Sequence, residues 1–136
     1  MKSTATATVI AFIDAINRGD VTRLSNLMTE DHIFVDSGGS RSPNSADLIR
    51  GWSEYFRMFP DYRIEIENII QEENLVAVFG TATGTYDGNR GLVPENQIKM
   101  PAAWRAVVEN GRVKLWQVYA DWTEGWKIIE ADRKQG

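Results

Sequence analysis

The sequence contains no cysteine and one histidine. The first absence excludes disulfides, thiol nucleophiles and thiolate metal sites. The lone His32 is too little imidazole for a zinc site, so no metal is expected. It is also the one base available to a serine hydrolase, and no G-x-S-x-G elbow accompanies it. Positive charge is scarce too: 15 Lys and Arg stand against 19 Asp and Glu, a net charge of −4. A nucleic-acid surface needs clustered cations, and only Arg133-Lys134 is locally basic. No apolar run has the form of a signal peptide or a membrane span. The expectation is a cytoplasmic protein that binds neither nucleic acid nor membrane and uses no cofactor.

What remains is carboxylates, aromatics and shape. The 136 residues are 43% hydrophobic and 25% charged, which suits one globular domain over 1–136. Val9, Phe12, Ile13 and Ile16 recur at helical spacing over 5–17, with Ser3 or Thr4 as cap and Gly19 beyond the end. Asp20 caps a second short helix that turns Val21, Leu24, Leu27 and Met28 inward. Ser45 caps a third helix, 46–59, which Pro60 ends. Strands are expected over 32–36, 62–71, 75–86, 97–109 and 112–122. Asn110-Gly111 marks a tight hairpin, and the turn-rich segment 87–96 reads as a long, mobile loop. The order ααβαββββ predicts an α+β fold, a cone-shaped curved antiparallel sheet packed against three helices of the N-terminal half.

Strand alternation sorts the side chains into faces. One face of 75–86 carries Gly80, Ala82 and Gly84, which lets the sheet bend or leaves room for a ligand. Met100, Ala102, Trp104 and Ala106 share a face, as do Trp116, Val118, Ala120 and Trp122. Phe34 and Asp36 come together on the first strand. The five tryptophans either line a hollow that suits an aromatic or polycyclic ligand, or fill it as a solid core. The opposite face holds Phe79, Thr81, Thr83, Thr85, Ala103, Arg105, Leu115, Gln117 and Tyr119, with Lys99 also turned outward. It is the expected surface of a homodimer. Residues 123–136 form a C-terminal extension: Thr123-Glu124-Gly125 breaks the strand, Trp126, Ile128 and Ile129 pack on the pocket mouth or a partner, and 132–136 are mobile.

Four stretches, Phe12–Asp20, Leu24–Asp36, Ala46–Trp52 and Val107–Trp116, resemble the nuclear-transport-factor-2-like superfamily, also called SnoaL-like. The resemblance spans about residues 5–122. It implies the cone-shaped fold. It leaves activity open among steroid isomerases, polyketide cyclases, epoxide hydrolases, dehydratases and non-catalytic binding or assembly modules. In isomerase-like members an aspartate base ends the first strand, and Asp36 has that place here. Their oxyanion donors fall on Phe12 and on Trp104, or Ala103 in an ungapped alignment, none of them an acid or phenol. The Asp–Arg–Asp set of the epoxide hydrolases falls on Gly80, Ala82 and Val118, and their assisting Asn and Tyr fall on Asp36 and Phe34, which argues against that activity. The cyclase-like aspartate matches Asp121 only if a bulge turns it inward.

Asp36 is the expected general base. Beside Phe34, Trp52 and Trp104 it would be partly desolvated and could take a proton from a carbon next to a carbonyl. Trp104 N–H, Tyr55 O–H or a water would have to replace the missing oxyanion donor. The alternative is that Asp36 caps the turn Asp36-Ser37-Gly38-Gly39-Ser40. The expected pocket lining is Phe12, Phe34, Trp52, Tyr55, Phe59, Gly80, Ala82, Met100, Ala102, Trp104, Trp116, Val118 and Ala120. His32 is expected near solvent at a strand start. The two functions in view are an isomerase or cyclase acting on a hydrophobic carbonyl compound, and a non-catalytic ligand-binding or dimeric assembly module.

Overall fold

The computed structural model describes residues 4–135. Helix α1 (Ala5–Asn17) starts where the Thr4 hydroxyl accepts from Ala7 N–H at 3.0 Å. Ser3, the other cap considered, lies outside the described residues. Val9, Phe12, Ile13 and Ile16 are buried along one stripe of α1. Gly19, at φ +62°, turns the chain into α2 (Val21–Asn26), which Asp20 caps through Arg23 N–H. Met28, expected on that helix, instead opens strand β1 (Met28–Val35). A short strand, β2 (Arg41–Pro43), follows that periodicity does not show. Helix α3 (Ala46–Met58) is capped by Ser45 and buries Leu48 and Trp52. The remaining strands are β3 (Arg63–Glu72), β4 (Leu75–Thr85), β5 (Gln97–Glu109) and β6 (Arg112–Ala120).

The six strands form one curved sheet in the order β2-β1-β6-β5-β4-β3. Four pairings are antiparallel, and β1–β6 is parallel, with Phe34 beside Trp116. Asn110 and Gly111, both at positive φ, make the β5–β6 hairpin. Strand β3 has an irregularity opposite Gly80. The register between β3 and β4 shifts between Ile66 and Asn68, and a Cβ at Gly80 would fall within the Glu65 carbonyl. The glycine there serves the close approach of two backbones.

The extension is helical: α4 (Thr123–Arg133) packs back on β5 and on the 3-10 turn Pro94–Asn96. Two expectations about these segments fail together. Asp132 is 1% exposed and not part of a mobile tail. Its carboxylate accepts from Asn89 N–H (2.7 Å), Arg90 N–H (2.8 Å) and the Asn96 amide (2.9 Å), with the Arg90 guanidinium at 3.6 Å. Those bonds pin the loop 87–96, which is therefore clasped to α4. Gly136 lies outside the described residues. No helix among the described residues is long and apolar enough to cross a membrane.

Candidate functional site

A cavity of about 890 Å³ opens between the inner face of the sheet and helices α3 and α4. Alternation on β4, β5 and β6 delivers Ala82, Met100, Ala102, Trp104, Trp116, Val118 and Ala120 to one wall. The amphipathic face of α3 supplies Trp52 and Tyr55, with Phe59 just beyond its end, and β1 supplies Phe34. All five tryptophans line the space and leave it open. Two expected lining residues are elsewhere. Phe12 is fully buried beneath the wall, its ring centroid 4.8 Å from that of Trp116, because α1 lies too deep to reach the space. Gly80 is taken up by the approach of Glu65 and does not face the cavity.

Several lining residues escaped the sequence reading. Met58, Tyr62, Ile64 and Trp122 are among them, while Trp126 and Ile129, expected at the pocket mouth or on a partner, line the cavity. Trp122, Trp126 and Ile129 come with α4 and its N-cap, at i, i+4, i+7 spacing. The rim is polar: Ser37, Ser40, Arg41, Ser42, Ser45 and Asp47 follow one another around β2 and the start of α3.

Asp36 stands on this rim, half-buried, directly after β1. Its Oδ1 accepts from Gly38 N–H at 2.9 Å and Ser40 N–H at 3.0 Å, so it caps its own turn. Both bonds fall on Oδ1 and leave Oδ2 outside the hydrogen bonding of the turn. Asp121 is exposed, and its Oδ1 accepts from the Thr123 hydroxyl and N–H at the start of α4. Those two bonds, the hydroxyl's first, hold its carboxyl below the usual range. No bulge turns it inward.

His32 also departs from expectation. It is 1% exposed, and its Nδ1 lies 2.6 Å from the Val113 carbonyl, so it ties β1 to β6. Burial pushes its pKa down, with the Val113 carbonyl and Asp31 opposing. Trp104 lies on the wall, stacked on Trp116 at 6.4 Å. Lys99 and Arg105 are exposed on the outer side. Of the outer-face residues, Phe79, Ala103 and Tyr119 stand in one row across β4, β5 and β6. Thr85 does not join them: it is buried, with its N–H and hydroxyl on the Asp61 carboxylate.

The SnoaL-like domain family model matches residues 9–116. The sequence matches no curated protein. Among solved structures, the chain is similar to a candidate SnoaL-like polyketide cyclase from Jannaschia sp. CCS1, at 20% identity and a TM-score of 0.79, over 93% of this chain and 92% of that one. It is similar to IdmH, a candidate polyketide cyclase of Streptomyces antibioticus, at 21% identity and a TM-score of 0.78, covering 94% and 99%. It is also similar to an LEH-like epoxide hydrolase of M. tuberculosis, at 17% identity and a TM-score of 0.75, covering 94% and 90%. At these identities the likeness is one of fold.

Proposed function

Because the chain belongs to the SnoaL-like domain family, we propose that it binds a hydrophobic, ring-bearing carbonyl compound in its cavity and moves a proton on it, with Asp36 as the base. The observation that carries this is an open space of about 890 Å³ walled by tryptophans, with a carboxylate on its polar rim. Rings of that size exclude water and reward burial of apolar surface. In the step itself, Asp36 Oδ2 takes a proton from the carbon next to the carbonyl. The C–H electron pair becomes the C=C bond, and the carbonyl π pair moves to oxygen. In a ketone with a β,γ C=C bond, return of the proton at the γ carbon shifts that bond into conjugation and restores the carbonyl. Alternatively, the enolate carbon attacks a second carbonyl of the same compound, whose π pair moves to its oxygen and takes the proton from Asp36, closing a ring.

The cap bonds of Asp36 favour a second function. If turn capping is all this carboxylate does, the protein holds its ligand without turnover. 2-Tetralone separates the two. Quenching of tryptophan fluorescence reports binding, and NMR in D2O reports exchange of the protons next to the carbonyl. Binding with exchange supports the enzyme. Binding without exchange leaves the binding module, and no quenching defeats both.

For partners, we propose a homodimer through the outer sheet face. Phe79 and Tyr119 are 44% and 49% exposed there, and Ala103 lies between them. An isologous contact should bury on the order of 1,600 Å² in total. Sedimentation at micromolar concentration should show twice the 15.4 kDa chain mass, and a monomer alone would refute it.

A further inference from the structure

Donors and acceptors are unequally shared around the cavity. Trp52 and Tyr55 are three residues apart on α3 and so project from one side of the helix, with ring centroids 6.3 Å apart. Tyr62, between α3 and β3, stands edge-on to Tyr55 at 4.9 Å. All three line the cavity. Trp52 is 9% exposed, and its indole N–H is buried without an acceptor. Such a donor carries a desolvation cost that an acceptor on a ligand would relieve. Burial pushes the Tyr55 hydroxyl well above its ordinary value, and Tyr62 adds to the effect. Burial likewise pushes Tyr62 up to about 12, with the neighbouring Tyr55 easing it slightly. Both phenols therefore remain protonated across the physiological range.

The charged groups are at the rim. Asp36 has one oxygen committed to its turn, Asp47 pairs with Arg50, and Arg41 stands exposed on β2. Among the described residues that line the cavity there is no lysine. A ligand carboxylate beside the three rings would be desolvated with no cation next to it. A ligand with N–H donors alone would leave the indole unmet. A carbonyl oxygen, with two lone pairs and no charge, fits. The resemblance puts the oxyanion tyrosine at Phe12, which is buried in the core. Donors that could replace it stand on another element.

We infer that Trp52, Tyr55 and Tyr62 form the donor cluster that receives the carbonyl oxygen of the bound compound, and that they set a preference for ring ketones and quinones over the parent hydrocarbons. The inference rests on the cavity being the ligand site and is independent of whether Asp36 acts as a base.

Fluorenone and fluorene share one ring system and differ in the carbonyl. Titration of the wild-type chain should show fluorenone binding about tenfold more tightly, the size of one net hydrogen bond of good geometry. The fluorenone C=O stretch should move to lower frequency on binding. In the Tyr55→Phe/Tyr62→Phe double variant, which keeps the Trp52 donor, the preference and the frequency shift should both fall markedly, with fluorene affinity unchanged. The Tyr62→Phe single variant, with a partial loss, serves if the double variant does not fold. Equal binding of the two compounds by the wild type overturns the inference and leaves the cavity as a site. So does a preference that the double substitution leaves unchanged. Binding of neither compound overturns the cavity as ligand site, and the inference with it.

Discussion

Asp36 and Asp132 each accept two backbone N–H groups, yet they belong to opposite kinds of site. The donors to Asp36 are two and four residues away in its own turn, and both use one oxygen. The donors to Asp132 lie 42 and 43 residues away, use both oxygens, and are joined by the Asn96 amide and Arg90. Asp36 is half-buried on a cavity rim, whereas Asp132 is 1% exposed between α4 and the loop 87–96. A carboxylate held locally by one oxygen keeps the other for chemistry. A carboxylate saturated from a distant segment is a fastener, and removing it strands several donors at once.

Asp132→Ala should therefore show the largest effect. It frees the loop and the end of α4 together and should lower Tm by on the order of 10 °C. Ligand affinity should fall as well, because Trp126 and Ile129 reach the cavity from that helix. Thermal melts and a ligand titration check both. A melt within about 2 °C of wild type would mean the clasp carries little.

The glycines beside the two aspartates give the next contrast. A Cβ at Gly88 would run into Asp132 Oδ2 and the Tyr86 ring, neither free to move. Gly88→Ala should cost about 2 kcal/mol in chemical denaturation. At Gly38 the nearest atom to a new Cβ is Asp36 Oδ1, at 3.3 Å in an exposed turn. Gly38→Ala should stay within about 0.5 kcal/mol.

Stability should fall in two stages as pH drops. His32 has a folded pKa below its ordinary 6.5, so it is neutral when folded and takes up a proton on unfolding. Its contribution is complete above about pH 6.5 and is lost as pH falls below that. Burial pushes Asp132 up, but the Asn96 amide, the Arg90 and Asn89 N–H groups and the Arg90 charge outweigh it and hold it below 3.8. Its contribution is complete above that value and is lost on further acidification. His32→Gln should flatten the first stage alone, and Asp132→Asn the second. An unchanged slope between pH 6.5 and 4.5 in His32→Gln would remove the first assignment. The smallest stability effect belongs to Asp36→Asn, which keeps the oxygen that caps the turn and should remain within about 0.5 kcal/mol of wild type.

The same contrast explains what could be read in the sequence. Local features were legible: the caps Thr4, Asp20 and Ser45, the Asn110-Gly111 hairpin, and the alternation that puts Trp104 and Trp116 on one face. Strand β2 was not, since Arg41-Ser42-Pro43 has no alternation and exists because the turn at Asp36 folds it back on β1. Gly125 read as a breaker. In the structure it lets α4 pass close to Trp122, where a Cβ would lie 2.7 Å from the ring. His32 and Asp132 look solvated in sequence, and their partners, Val113 and residues 89–96, are distant along the chain. Tyr62 heads the strand expected over 62–71 and shares the face of Ile64, but nothing local says that this face meets Tyr55 across the cavity.

The reading of Asp36 as a base, with one oxygen outside its turn's hydrogen bonds, sets it apart from Asp132. Its most direct test is the rate at which the protons of bound 2-tetralone exchange with D2O, measured with affinity for wild type and Asp36→Asn. Wild-type exchange should be at least roughly 10²-fold faster than in the variant, the usual size of a general-base contribution, with affinity and Tm unchanged. Equal exchange rates in the two proteins at equal affinity would contradict it, leaving Asp36 as a turn cap and the cavity as a binding site alone.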